Sequence, residues 1–131
     1  MRFLPDTNII IGWLAGRNPA IIDKMADHRR DIALSAIVLH KLAFGAFNSK
    51  HVDRNLRQLD DLGLPVLAFD NADAVAAGDI RARLKRAGTP IGPYDLLIAG
   101  QAIARGLTVV TANTSEFARV AGLQLDNWIN D

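Results

Sequence analysis

The sequence predicts an α/β fold, a three-layer α/β/α sandwich with a central, mainly parallel sheet. Three observations carry that prediction. Short apolar runs alternate with longer stretches of helical periodicity along the chain, the pattern of strands joined by crossover helices. Small polar residues and glycines stand where those helices would start and stop. Half of the 131 residues are apolar, enough to fill the core of one domain spanning residues 1–131.

Taken in order, residues 3–5 read as a first strand, in which Pro5 is awkward because it has no N–H for a ladder. Residues 8–14 read as a helix that Gly16 ends, and Pro19 opens a second helix to residue 28. Asp31, Ile32, Ala33 and Leu34 read as a buried strand, after which Ser35 caps a helix over residues 36–47. Residues 52–62 place Leu56, Leu59 and Leu62 on one helical stripe. Residues 65–69 form the next strand, and Asp70 or Asn71 caps a long helix to residue 87 that Gly88 closes. After the loop Thr89-Pro90-Ile91-Gly92, Pro93 suits a first turn and the helix over residues 94–105 ends at Gly106. Residues 108–111 read as a strand, 116–118 as a short helical turn and 123–125 as a last strand.

In open parallel sheets, ligands gather beyond the carboxyl ends of the strands. That edge would collect Asp6, Ser35 and the loop over residues 111–113, with the start of the Asp95 helix beside it. The totals narrow the chemistry. There is no cysteine, which removes disulfides, thiolate catalysis and cysteine-based zinc sites and fits a reducing cytoplasm. A net charge of +1 gives no global basic field, so contact with nucleic acid needs a local patch. The apolar stretch over residues 9–14 is too short to span a membrane and lacks the layout of a secretion signal.

Several polar residues fall on apolar faces. The neighbours of Asp95 three and four positions away are Ile91, Gly92, Ile98 and Ala99, which aims it at the body of the domain. With Gly92 as the cap, Asp95 is also the third helical residue, a favoured place for an acid, and position alone supports both readings. Lys41 has Ile37, Val38, Phe44 and Gly45 at the same spacings. A lysine there either snorkels outward or meets carboxylates. Asn113 and Glu116, three apart, match a capping box, with capping the main task of Asn113 and that of Glu116 open. Thr7 and Asn8 read as cap or turn residues. Carboxylates gathered among polar loops suit a hard cation such as Mg²⁺ or Mn²⁺, which can activate water and clamp a phosphodiester. His28, His40 and His51 show no ligand spacing, and no glycine-rich phosphate loop precedes a helix.

The segments "DTNIIIGWL", "IALSAIVLHKLAFGA" and "IRARLKRAGTPIGPYDLLIAGQAIARGLTVVTANTSEFARVAGL", with Trp128 near the end, resemble PIN-domain ribonucleases of the VapC toxin type over essentially the whole chain. The resemblance implies a PIN-like fold and acids around Mg²⁺ or Mn²⁺. It matches Asp6 and Asp95 to metal-binding acids, with Glu116 as a further catalytic acid. It makes Thr7 and Thr111 hydroxyls that orient the acids, and places Asn113 behind them. It further implies an RNA substrate, a structured tRNA or rRNA loop, and a homodimer. The partner would be a cognate VapB-type antitoxin whose segment enters a groove walled by Ile9, Trp13, Leu42 and Phe44 and which alone contacts operator DNA.

One departure matters. Where such proteins carry an active-site Glu in the third helix, this chain has Lys41. A positive charge there opposes a cation, so the sequence predicts weak Mg²⁺ binding and impaired cleavage. A PIN fold that only binds antitoxin or RNA is the alternative. A phosphoacceptor role for Asp6 is disfavoured, because no second acid adjoins it.

Overall fold

The computed structural model describes residues 1–129. The order is β1 (Phe3–Pro5), α1 (Thr7–Ala15), α2 (Pro19–His28), a 3-10 turn (Arg29–Asp31), β2 (Leu34–Ser35), α3 (Ala36–Phe47), α4 (Val52–Asp60), β3 (Val66–Leu67), α5 (Asn71–Ala87), α6 (Pro93–Arg105), β4 (Thr108–Val110), α7 (Thr114–Phe117) and β5 (Gln124–Asp126). All strand pairings are parallel, as the alternation of strands and helices predicts.

The strands form a three-stranded sheet, β1-β4-β5, and a two-stranded sheet, β2-β3. A single bridge, Phe3 to Ile32, links them. Pro5 accounts for the break. The Phe3 carbonyl accepts from the Ala33 N–H at 3.0 Å, whereas Asp6 N–H turns the other way, to the Val110 carbonyl at 2.9 Å. Alternation brings Pro5 to the same side as Phe3, where it has no N–H to continue the ladder. The residue that looked misplaced in a strand therefore ends pairing on one side only.

Side-chain caps fix the helix starts. Ser35 accepts from the Ile37 N–H, and Asp70 and Asp73 form a reciprocal capping box at α5. At the far end of α6, Gly106 takes the left-handed conformation (φ 66°) that lets its N–H bond back to the Ala102 and Ile103 carbonyls. The core is continuous, from Leu4, Ile9, Ile10 and Val38 to Ile98, Val109, Phe117 and Trp128, all fully buried. Trp128 packs edge-on to Phe3 and stacks on His28, so this tryptophan and this histidine are packing residues. Helices α5 and α6 approach so closely that a Cβ on Gly100 would sit 2.6 Å from the Ala77 Cβ. That contact fixes where the start of α6, with Asp95, meets the sheet. Four elements are shorter than the sequence predicts, one of them β4, which ends at Val110 rather than Thr111. The strand at residues 31–34 yields to the 3-10 turn and the two-residue β2, β3 keeps only two residues, and α4 stops at Asp60, leaving Leu62 buried just beyond it.

Candidate active site

The chain leaves β1 at Asp6, and the same carboxylate that closes the strand caps α1. Asp6 Oδ1 accepts from the Ile9 N–H at 3.1 Å. Its other oxygen, Oδ2, accepts from the Thr111 hydroxyl, which leaves β4 at the same edge. Asp6 thus caps α1 with one oxygen and holds the Thr111 hydroxyl with the other, the contact that an orienting hydroxyl would make. Thr7 makes no such contact. It lies inside α1, buried, with its Oγ1 unpartnered among the described residues, and Asn8 is likewise a helical residue rather than a cap.

The Thr111 hydroxyl in turn accepts from the Asn113 N–H at 2.9 Å. The Asn113 side chain makes no capping bond to α7; its amide donates to Glu116 Oε2 at 2.7 Å. Glu116 Oε1 accepts from the Gly92 N–H at 2.6 Å, across 24 residues of sequence. These two donors hold the Glu116 carboxyl below its usual range, against burial and with the help of Arg119. Asp95 is the third helical residue of α6 and also faces the acids, so both readings of its position hold. Burial first, and then the charge of Glu116, push its carboxyl above the usual aspartate range; Lys41 pulls it back, and Asp6 adds a smaller upward push. A Cβ placed on Gly92 would lie 3.5 Å from Glu116 Oε1 and 3.6 Å from Asp95 Oδ2. Asp6, Asp95, Glu116 and Lys41 therefore share one cleft at the carboxyl edge of the sheet.

Lys41 makes no ion pair at contact distance with a described residue; its ammonium sits 5.5 Å from the Tyr94 ring centroid, and His40 packs on the same ring. The cleft does not fit a divalent cation as a three-carboxylate cage. Among the described residues no three His, Asp or Glu side chains converge closely enough to hold an ion. Both Glu116 oxygens carry hydrogen bonds, and the one acid carboxylate of the cleft left without a hydrogen bond, Asp95, feels the lysine. Two contributors were not legible from spacing. Tyr94 shows itself only as an aromatic next to Asp95, and the Gly92 N–H only as a gap in a proline-rich loop.

The four residues expected to wall an antitoxin groove separate. Ile9 is wholly buried and is core, not wall. Leu42 is nearly buried but lines a groove of about 300 Å³ with Ile11, Leu14, Lys41 and Leu59. Trp13 is half-buried under the Arg29 guanidinium in a neighbouring depression. Phe44 stands 63% exposed.

A PIN domain family model matches residues 3–123, so the chain belongs to the PIN domain family. The tRNA(fMet)-specific endonuclease VapC of Shigella flexneri is 38% identical over 130 residues, covering 98% of each chain. The crystal structure of DNA-bound VapBC from Salmonella typhimurium superposes with a TM-score of 0.93 at 38% identity, covering 98% of both chains. That of VapBC2 from Rickettsia felis bound to a promoter DNA fragment gives 0.91 at 33% identity, covering 98% of this chain and 99% of that one. Within the PIN family, then, the chain is of the VapC type, whose relatives are named as ribonucleases and crystallise as VapBC complexes. No helix among the described residues is long and apolar enough to cross a membrane.

Proposed function

We propose that the chain, one PIN domain over residues 1–131, is a toxin-type endoribonuclease of a VapBC pair whose hydrolysis of RNA is slowed by Lys41. The observation that carries this is the shared cleft, in which Asp95 responds to the charges of Glu116, Lys41 and Asp6. PIN-domain ribonucleases as a class depend on divalent metals. In this chain the assigned metal-binding acids are Asp6 and Asp95, with Mg²⁺ or Mn²⁺ the cation suited to their oxygens. Lys41 supplies a competing positive charge. Thr111 and Asn113 fix the acids Asp6 and Glu116, and the half-buried setting of Asp95 strengthens any field acting there.

The substrate class is structured RNA, a tRNA or rRNA loop, supported by the relative named for tRNA(fMet). The partners are a VapB-type antitoxin, which alone would touch operator DNA, and a second copy of the chain, in the cytoplasm. For the antitoxin groove, exposed Phe44 and the hollow beside Leu42 are the better candidates, and Ile9 drops out.

Lys41 gives one observation in favour of a second reading, a PIN fold that binds antitoxin or RNA without cutting. End-labelled tRNA incubated with the chain and Mg²⁺ separates the two. Slow cleavage that stops with EDTA and in Asp95→Asn is the expected result. No cleavage over many hours, with binding intact, supports the binder. Brisk cleavage untouched by Asp95→Asn would contradict both.

A further inference from the structure

Four cations crowd the second half of α5, at Arg81, Arg83, Lys85 and Arg86, and the structure sorts them. Arg83 is tied to Asp79 by an i,i+4 pair at 3.0 Å. Arg81 and Lys85 instead line a groove of about 520 Å³ between α5 and the start of α6. Buried Leu84 and Leu96 lie at its bottom, with Pro90 and Ile91 on its wall. Neither cation's side chain has a hydrogen bond or ion pair with another described residue. Their helical neighbours three and four residues away include no acid, only each other and Ala77, Gly78, Ala82, Leu84, Gly88 and Thr89. Two like charges one turn apart repel. An anion placed between them would relieve that repulsion, and nothing else described within the domain does.

The groove shares a wall with the acidic cleft. The loop before α6 bonds Glu116 through the Gly92 N–H on one side and receives Arg119 at the Pro90 carbonyl on the other. Leu96 opens into the groove, whereas Asp95, one residue earlier, faces the acids.

We propose that this groove is a subsite for a single-stranded RNA segment flanking the acidic cleft, with phosphates on Arg81 and Lys85 and an unstacked base against the apolar bottom. The inference rests on the RNA-directed reading above. Positions four apart on a helix are about 6 Å apart along its axis, so the two cations track a backbone rather than grip one point. The apolar surface accepts a base face without reading its edge. An acidic peptide would also meet the charges, but a cleft between two helices offers its main chain no strand edge to pair with.

The test is fluorescence anisotropy with a fluorescein-labelled single-stranded RNA of about 12 nucleotides in EDTA. It compares the wild-type chain, Arg81→Ala/Lys85→Ala, and a control of equal charge change, Arg83→Ala/Arg86→Ala. The groove pair should lose about tenfold in affinity and flatten the dependence of log K on log salt by about 1.4, the share of two phosphate contacts. The control should change less than about twofold. Equal losses in both variants would overturn the groove and leave only a diffuse basic helix. So would RNA binding that neither variant alters. Displacement of the RNA by a short polyglutamate peptide, with peptide binding lost in the groove variant, would assign the groove to an acidic polypeptide and overturn the RNA subsite. If the wild-type chain binds no RNA at all, the RNA-directed reading itself fails. All four side chains are exposed, so the variants should fold, and circular dichroism checks that they do.

Discussion

Replacing Lys41 with Glu should raise Mg²⁺-dependent RNA cleavage by about 30- to 150-fold. The reason is charge arithmetic. Two unit charges about 4 Å apart at an effective dielectric near 20 interact by roughly 4 kcal/mol. Lys41→Glu changes the local charge by two units in a cleft that already holds Asp6, Asp95 and Glu116. Greater distance and entering water reduce that figure, and about 2–3 kcal/mol is a reasonable remainder, or 30- to 150-fold in an equilibrium constant. Lys41→Gln isolates the removal of the positive charge from the gain of a ligand and should recover only part of the rate. The measurement is single-turnover cleavage of labelled tRNA. Equal rates in the wild-type chain and in Lys41→Glu would show that the lysine does not govern the site.

The second large effect concerns the far end of α6. Asp73 is fully buried, and Arg105 reaches it with hydrogen bonds of 3.2 and 3.1 Å while also touching Asp70 and the Ala68 carbonyl. Gln101 adds contacts to the same carboxylate and to the end of β3. Burial by itself would raise the Asp73 carboxyl, but the Arg105 and backbone hydrogen bonds outweigh it and hold the group below its ordinary value of 3.8. Arg105→Ala leaves that charge buried with its strongest partner gone. Breaking a fully buried pair costs about 3–5 kcal/mol; Arg105 is 30% exposed, which brings the expectation to about 2–3 kcal/mol. A depressed acid contributes stability above its unfolded value and loses it as pH falls through the folded one. The deficit of Arg105→Ala in urea unfolding should therefore be full near neutral pH and shrink below about pH 4. A pH-independent deficit would mean that the arginine acts through packing alone.

Much of the site was readable because its acids sit where local rules put them. Asp6 follows a strand and precedes a helix, so parallel topology alone delivers it to the carboxyl edge. The inward face of Asp95 follows from its apolar neighbours at helical spacing. What could not be read depends on contacts between distant segments. The Gly92 N–H meets Glu116 because a loop and a short helix fold together, and no period in the sequence records that. Asn113 shows why a capping pattern is ambiguous. Its backbone turn matches a cap, but a carboxylate within reach takes its amide. Thr7 is not the cap for a related reason, since Asp6 takes that place. Strands of two residues carry too little alternation to be bounded, which is why β2 and β3 came out longer in the sequence than in the fold. The resemblance puts Ile9 on the groove wall, yet its helical turn points it into the core.

Calorimetric titration with Mn²⁺ probes the cleft without requiring the right RNA. The wild-type chain should give no saturable heat, Lys41→Glu should bind with a defined stoichiometry, and adding Asp95→Asn to that variant should abolish the binding. Uptake by the wild-type chain as tight as that of Lys41→Glu would contradict the claim that Lys41 weakens cation binding.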